Sequence, residues 1–105
     1  MAKVSASRRS SQRRLGRFFN RNAYCRVPNP SRQKKEGYTN YKKGWEVRLI
    51  LRDEDEVSIV CGLLWRVGLA PGKPFRKSKR WAVPIYGEEA VTSLRAWGAE
   101  LLENE

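Results

Sequence analysis

Residues Trp45 to Leu69 leave this chain little freedom in how it folds. Trp45, Val47, Leu49 and Leu51 alternate with Glu46, Arg48, Ile50 and Arg52, the period-two pattern of a strand with one buried face. The next residue opens a helix. Val57, Val60, Cys61, Leu64 and Val67 recur at helical spacing, with Ile59 and Leu63 widening the stripe. Asp53 or Asp55 can cap it, and Asp53 with Glu56 has capping-box spacing. Gly68 supplies a left-handed stop, Leu69 the hydrophobic contact after it, and Pro71-Gly72 forbids continuation. A one-faced strand running directly into a one-faced helix must bury the two faces against each other, so the protein is layered.

The second half repeats the logic. Pro74 to Lys77 and Arg80 to Tyr86 pair around Ser78-Lys79 as a hairpin, with Trp81, Val83 and Ile85 on one face and Arg80, Ala82, Pro84 and Tyr86 on the other. Pro84 has no amide to donate, which places its strand at an edge or a bulge. After Gly87, a second helix opens on Glu88-Glu89 and carries Ala90, Val91, Leu94, Trp97, Gly98 and Leu101 on one stripe. Strand, helix, hairpin, helix describes an α+β fold: a small, mostly antiparallel sheet with helices packed on one face. A length of 105 residues allows one such domain.

Ahead of this unit, residues 1–31 read as a basic N-terminal arm, largely disordered when free because Arg and Ser cannot bury enough apolar surface to offset the entropy of ordering. Its one candidate for order is a short helix over residues 15–24, with Leu15, Phe18, Phe19 and Ala23 on one side. Val27-Pro28-Asn29-Pro30 breaks any helix there. The domain proper is expected over residues 32–105, entered through a polar stretch that holds Tyr38 and Tyr41.

Charge narrows the function. The net charge is +11, enough to draw polyanions. Residues 1–52 hold fifteen Lys and Arg against Glu36 and Glu46, whereas residues 53–105 hold seven against nine acids. The positive field therefore belongs to the first half and to one island, Lys73 to Arg80. The absence of His, with only Cys25 and Cys61, removes His-based acid–base catalysis, Cys–His nucleophiles and the usual zinc ligand sets. Cys61 reads as a small core residue. The acids at Asp53 to Glu56 are explained by the helix start, where each contributes about 0.3 to 1 kcal/mol. No motif calls for a cofactor. No run approaches the roughly 20 apolar residues of a membrane span, and the mean hydropathy is −0.70. A cytoplasmic location is the default, with the Arg- and Ser-rich, acid-poor start suggesting a mitochondrial presequence as the alternative.

Like charges crowded on a short hairpin repel one another. Edge-strand protection accounts for some of them, and phosphate contact accounts for the set: Lys73, Arg76, Lys77, Lys79 and Arg80, joined by Arg48 and Arg52 from the outward face of the first strand. Tyr86, outward-facing, is placed to stack on a base. In the arm, Arg8, Arg9, Arg13, Arg14, Arg17 and Arg21 are guanidinium groups rather than amines, which suits bidentate phosphate contact and ordering on RNA.

The run GWEVRLILRDEDEVSIVCGLLWRVGL, the basic hairpin after it and GEEAVTSLRAWGAELL together resemble the strand, helix, hairpin, helix part of a LAGLIDADG homing-endonuclease half-domain, over about residues 38–102. The resemblance implies a curved sheet whose exposed face and hairpins lie along a nucleic-acid groove, with Arg48, Arg52, Arg76, Lys77, Lys79 and Arg80 in contact. It does not extend to that family's signature helix, which ends in a metal-binding acid; Leu15 to Tyr24 holds no counterpart. The expectation is a non-catalytic nucleic-acid-binding protein, RNA slightly ahead of DNA. The alternatives are a module docking an acidic protein partner, or a nuclease relative.

Overall fold

The computed structural model describes residues 6–28 and 44–103. The elements are α1 (Ala6–Arg21), β1 (Ala23–Arg26), β2 (Glu46–Leu51), α2 (Glu54–Arg66), β3 (Phe75–Lys77), β4 (Arg80–Tyr86) and α3 (Glu88–Glu103). The strands form one antiparallel sheet in the order β1-β2-β4-β3. Val47, Leu49 and Leu51 of β2 and Val83 and Ile85 of β4 meet Leu15, Val60, Leu63, Leu64, Val91 and Leu94 of the three helices in a single core. The α+β architecture with helices on one sheet face is thus as the periodicities require.

Both ends of α2 follow from its sequence. Asp53 is the N-cap and its carboxylate accepts from the Glu56 amide at 3.0 Å. At the other end the Leu69 amide donates to the Leu64 carbonyl and the Gly68 amide to that of Trp65, with Gly68 at φ 79°, the paired bonds of a Schellman stop. Ser78 carries φ 58°, the left-handed value that a primed two-residue hairpin turn imposes on its first central position.

The N-terminal segment differs from the expected free arm. Residues 6–21 are helical and docked, with Leu15 fully buried and Ser11 and Gly16 buried beside it. A narrow stripe is enough, because Phe18 and Phe19 add partly buried area and the neighbouring helix comes very close. A Cβ on Gly16 would lie 2.8 Å from the Trp97 carbonyl oxygen, and one on Gly98 would lie 2.5 Å from Asn20 Oδ1. Asn20 donates across this seam to the Gly98 carbonyl at 3.0 Å. Gly16, which weakens a helix in isolation, is what lets α1 approach α3. The helix ends at Arg21, and Ala23–Arg26 continues as the edge strand β1, which the sequence pattern did not suggest. Asn29 to Lys43, with Tyr38 and Tyr41, lies outside the described residues.

Two glycine substitutions should therefore move stability in opposite directions. Gly16→Ala gains about 1 kcal/mol of helix propensity but forces a methyl against backbone, and a net loss of about 1 to 2 kcal/mol is expected. Gly62 in α2 has open space around its Cβ position, so Gly62→Ala should gain roughly 0.5 to 1 kcal/mol. Urea melts of the pair check this; a stable Gly16→Ala protein would mean that the α1–α3 seam is looser than described.

Pro84 resolves differently from a simple edge assignment. β4 lies between β2 and β3, yet β3 pairs only with Arg80 to Ala82. The Pro84 carbonyl accepts from the Gly72 amide at 2.7 Å. Nitrogen and carbonyl of one strand residue point the same way, so the missing donor faces the side where β3 has already ended. The strand is central overall and an edge at that residue.

Candidate nucleic-acid interface

On the sheet face turned away from the three helices, side chains fall in rows across the strands. The registers place Arg26, Glu46 and Tyr86 in one row, Tyr24, Arg48 and Pro84 in the next, then Ile50, Ala82 and Phe75, and finally Arg80 and Lys77. Strand alternation adds Arg52 to the last row. Arg52, Lys77, Ser78, Lys79 and Arg80 line one hollow at this end. The sequence-level set is thereby partly assembled: Arg52, just past β2, and three hairpin cations converge.

Arg76 is not among them. It pairs with Trp81 on the helix side, its guanidinium 5.4 Å from the Trp81 ring centre, and shares a different hollow with Asp53, Glu54 and Asp55. Lys73 is exposed ahead of β3. No acidic partner within ion-pair distance is found among the described residues for Lys73, Arg76, Lys77, Lys79 or Arg80.

The other cations assigned to phosphate contact have structural partners. Glu46, only 2% exposed, is gripped by Arg26 Nη2 at Oε1 and by Arg48 Nε at Oε2, the latter at 2.8 Å. Glu56 accepts from Arg21 Nη1 and Nη2 at 2.8 and 2.7 Å, from the Arg52 amide at 2.8 Å and from Arg52 Nη2 at 3.0 Å. The Arg21 hydrogen bonds, with the Arg52 amide and guanidinium, hold the Glu56 carboxyl down from 4.5 to about 2 against the opposing effect of burial. The same bonds raise Arg21 above its ordinary value. This clamp ties the end of α1 to the end of β2 and the start of α2. Arg52 therefore serves twice, as a clamp residue and as the exposed wall of the hairpin hollow.

Three of the α1 cations point away from the sheet. Leu15 points into the core, so Arg9, Arg13 and Arg17, near the far side of the helical wheel, point away from the sheet. Arg14, Arg17, Phe18 and Arg21 share a shallow hollow there. Arg8 turns inward instead and donates to the Val67 carbonyl at 3.2 Å, supplying a cation to the negative end of α2. A free arm wrapping the polymer held by the hairpin is not what residues 6–21 form.

Two aromatic residues gain a place that sequence reasoning did not assign. Tyr24 is 44% exposed and Phe75 is 36% exposed, and both flank Arg48, whose guanidinium carbon lies 5.5 Å from each ring centre. The position of Phe75 was legible: a two-residue turn at Ser78-Lys79 sets Phe75 opposite Ala82, hence outward. That of Tyr24 was not, since nothing short of the sheet order reveals β1. Tyr86, 61% exposed, faces outward as its alternation indicated. Both cysteines are free thiols. Among the described residues no helix is long and apolar enough to cross a membrane, and no cluster of acids and thiols has the makings of a metal site.

No family model, no curated protein and no solved structure matches this chain.

Proposed function

We propose that this protein binds nucleic acid without transforming it, and that the hairpin end of the sheet is where phosphate is held. The observation that carries the proposal is the convergence of Arg52, Lys77, Lys79 and Arg80 around one hollow, with no acid among the described residues within ion-pair distance of the three hairpin cations. Cations placed that closely on an exposed tip lose free energy to mutual repulsion, and a phosphate chain lying between them reverses the sign while releasing condensed counterions. Composition favoured RNA through an arm ordering on its target. Residues 6–21 are already ordered by the core, so the proposal is for nucleic acid as a class.

A relationship to LAGLIDADG half-domains belongs to the same proposal. A helix now precedes the strand pair, as that family's signature helix would, but α1 ends in Asn20-Arg21, followed by Asn22, with no carboxylate. That ending supports binding rather than metal-assisted cleavage.

Gel shifts with duplex DNA, single-stranded DNA and structured RNA of matched length, repeated from 50 to 300 mM salt, test the reading. Binding that weakens linearly on a log–log plot is expected for at least one of them. If none binds at the lowest salt, the proposal is lost and an acidic protein becomes the better partner for this surface.

A further inference from the structure

Phosphate contacts alone would serve a duplex and an unpaired strand alike. The open face beyond the hairpin distinguishes them. Next to the cationic row of Arg52, Lys77 and Arg80 lie Phe75, then Tyr24 and Arg48, and then Tyr86. Among the described residues no helix covers this face, and its three exposed rings, set around the buried Ile50, Ala82 and Pro84, leave apolar area open to a partner. The positions they occupy are also spread out: adjacent strands lie about 4.8 Å apart, so Tyr24 on β1 and Tyr86 on β4 are separated by roughly 10 Å across the sheet. Side chains this far apart do not make one contiguous apolar patch of the kind a protein interface core presents. They make separate flat platforms with cations between them.

Resting on the nucleic-acid reading above, we infer that this face takes an unpaired nucleic-acid strand, its bases stacked on Tyr24, Phe75 and Tyr86 while Lys77, Lys79 and Arg80 hold the backbone. Arg48 completes the surface. Its guanidinium lies between Tyr24 and Phe75 and is fixed in orientation by Glu46 Oε2 at 2.8 Å, so these two platforms are held in place before any base arrives. Lys77 Nζ lies 6.0 Å from the Tyr24 ring centre, so a charge able to meet a phosphate stands beside the ring that would meet a base. Base–aromatic stacking needs an open π-face, which every unpaired base has and which pairing within a duplex hides. Charge complementarity and flat rings together therefore select the single strand, and Glu46 is too buried between its two arginines to repel it.

The test uses the full chain and three labelled probes: a 12-nucleotide oligo-thymidine, a 12-nucleotide oligo-uridine and a 12-base-pair duplex of mixed sequence. Either unpaired probe should bind at least tenfold more tightly than the duplex at the same salt. Tyr24→Leu, Phe75→Leu and Tyr86→Leu should each weaken unpaired-strand binding by between about 5-fold and about 100-fold and leave the salt slope unchanged. Circular dichroism melts accompany each variant, and Tyr86→Leu, at the most exposed of the three sites, remains informative if either of the others unfolds. Duplex binding as tight as single-strand binding, or ring removal without effect on a folded variant, overturns the inference while leaving salt-dependent nucleic-acid binding in place. Failure of every probe to bind at low salt removes both.

Discussion

Glu56→Gln should lower the melting temperature by about 10 to 20 °C at neutral pH. The side chain is 10% exposed and takes hydrogen bonds from two guanidinium groups and one backbone amide. An amide of the same shape keeps one acceptor but turns its NH2 towards donors and leaves two arginines unbalanced. Removing one member of a buried ion pair typically costs 3 to 5 kcal/mol. Arg21 and Arg52 are 38% and 68% exposed, so water recovers part of that, and about 2 to 3 kcal/mol is expected. For a domain of this size each kcal/mol shifts the midpoint by about 4 to 8 °C. The pH dependence has a definite sign. The folded carboxyl titrates near 2 rather than 4.5, so its stabilisation is complete above pH 4.5 and disappears as pH falls towards 2. The gap between parent and variant should accordingly narrow below pH 4.5 and nearly close at pH 2. Thermal melts across that range check both parts; a variant melting within 2 °C of the parent at pH 7 would mean that the clamp contributes nothing.

The second large effect concerns binding. Replacing Lys77, Lys79 and Arg80 together with Ala should leave the fold intact, because all three are exposed and surface substitutions usually stay within about 0.5 kcal/mol. It should also flatten the salt slope by about 2 to 3 and weaken binding roughly 100-fold near 0.1 M salt. Arg76→Ala alone should do little to the slope, since Arg76 stacks on Trp81 beside the acidic start of α2. Titrations at four or more salt concentrations separate the two variants. If Arg76→Ala flattens the slope as much as any one of the other three, the division of the hairpin into a polymer side and a helix side is wrong.

Much of this layout was legible in the residues. β2, α2, the hairpin and α3 each carry a clear period, and the Gly68 stop fixes the C-terminal end of α2, whereas Asp53 and Asp55 both fitted its start and the structure selects Asp53. Two things were not. α1 buries little and is nearly all polar, so its composition resembles a free arm; what orders it is the close approach at Gly16 and Gly98, a property of two helices together. β1 is four residues long and has no alternation to detect. Within the site, side-chain direction followed from strand parity, which is why Tyr86 and Arg80 were placed outward correctly. Ion pairing was only half legible: Arg48–Glu46 and Arg52–Glu56 lie two and four residues apart, but the second arginine on each carboxylate, Arg26 or Arg21, is brought by β1 or α1.

The row of guanidinium groups on the outer side of α1 has one further consequence. Arg9, Arg13 and Arg17 stand one helical turn apart with no acid anywhere in the helix, so the segment repels itself along its own length. Dissolved ions that loosen a phosphate polymer from the hairpin will, at the same concentrations, ease the strain on this segment. Ionic strength should thus loosen the polymer while easing the repulsion along this helix.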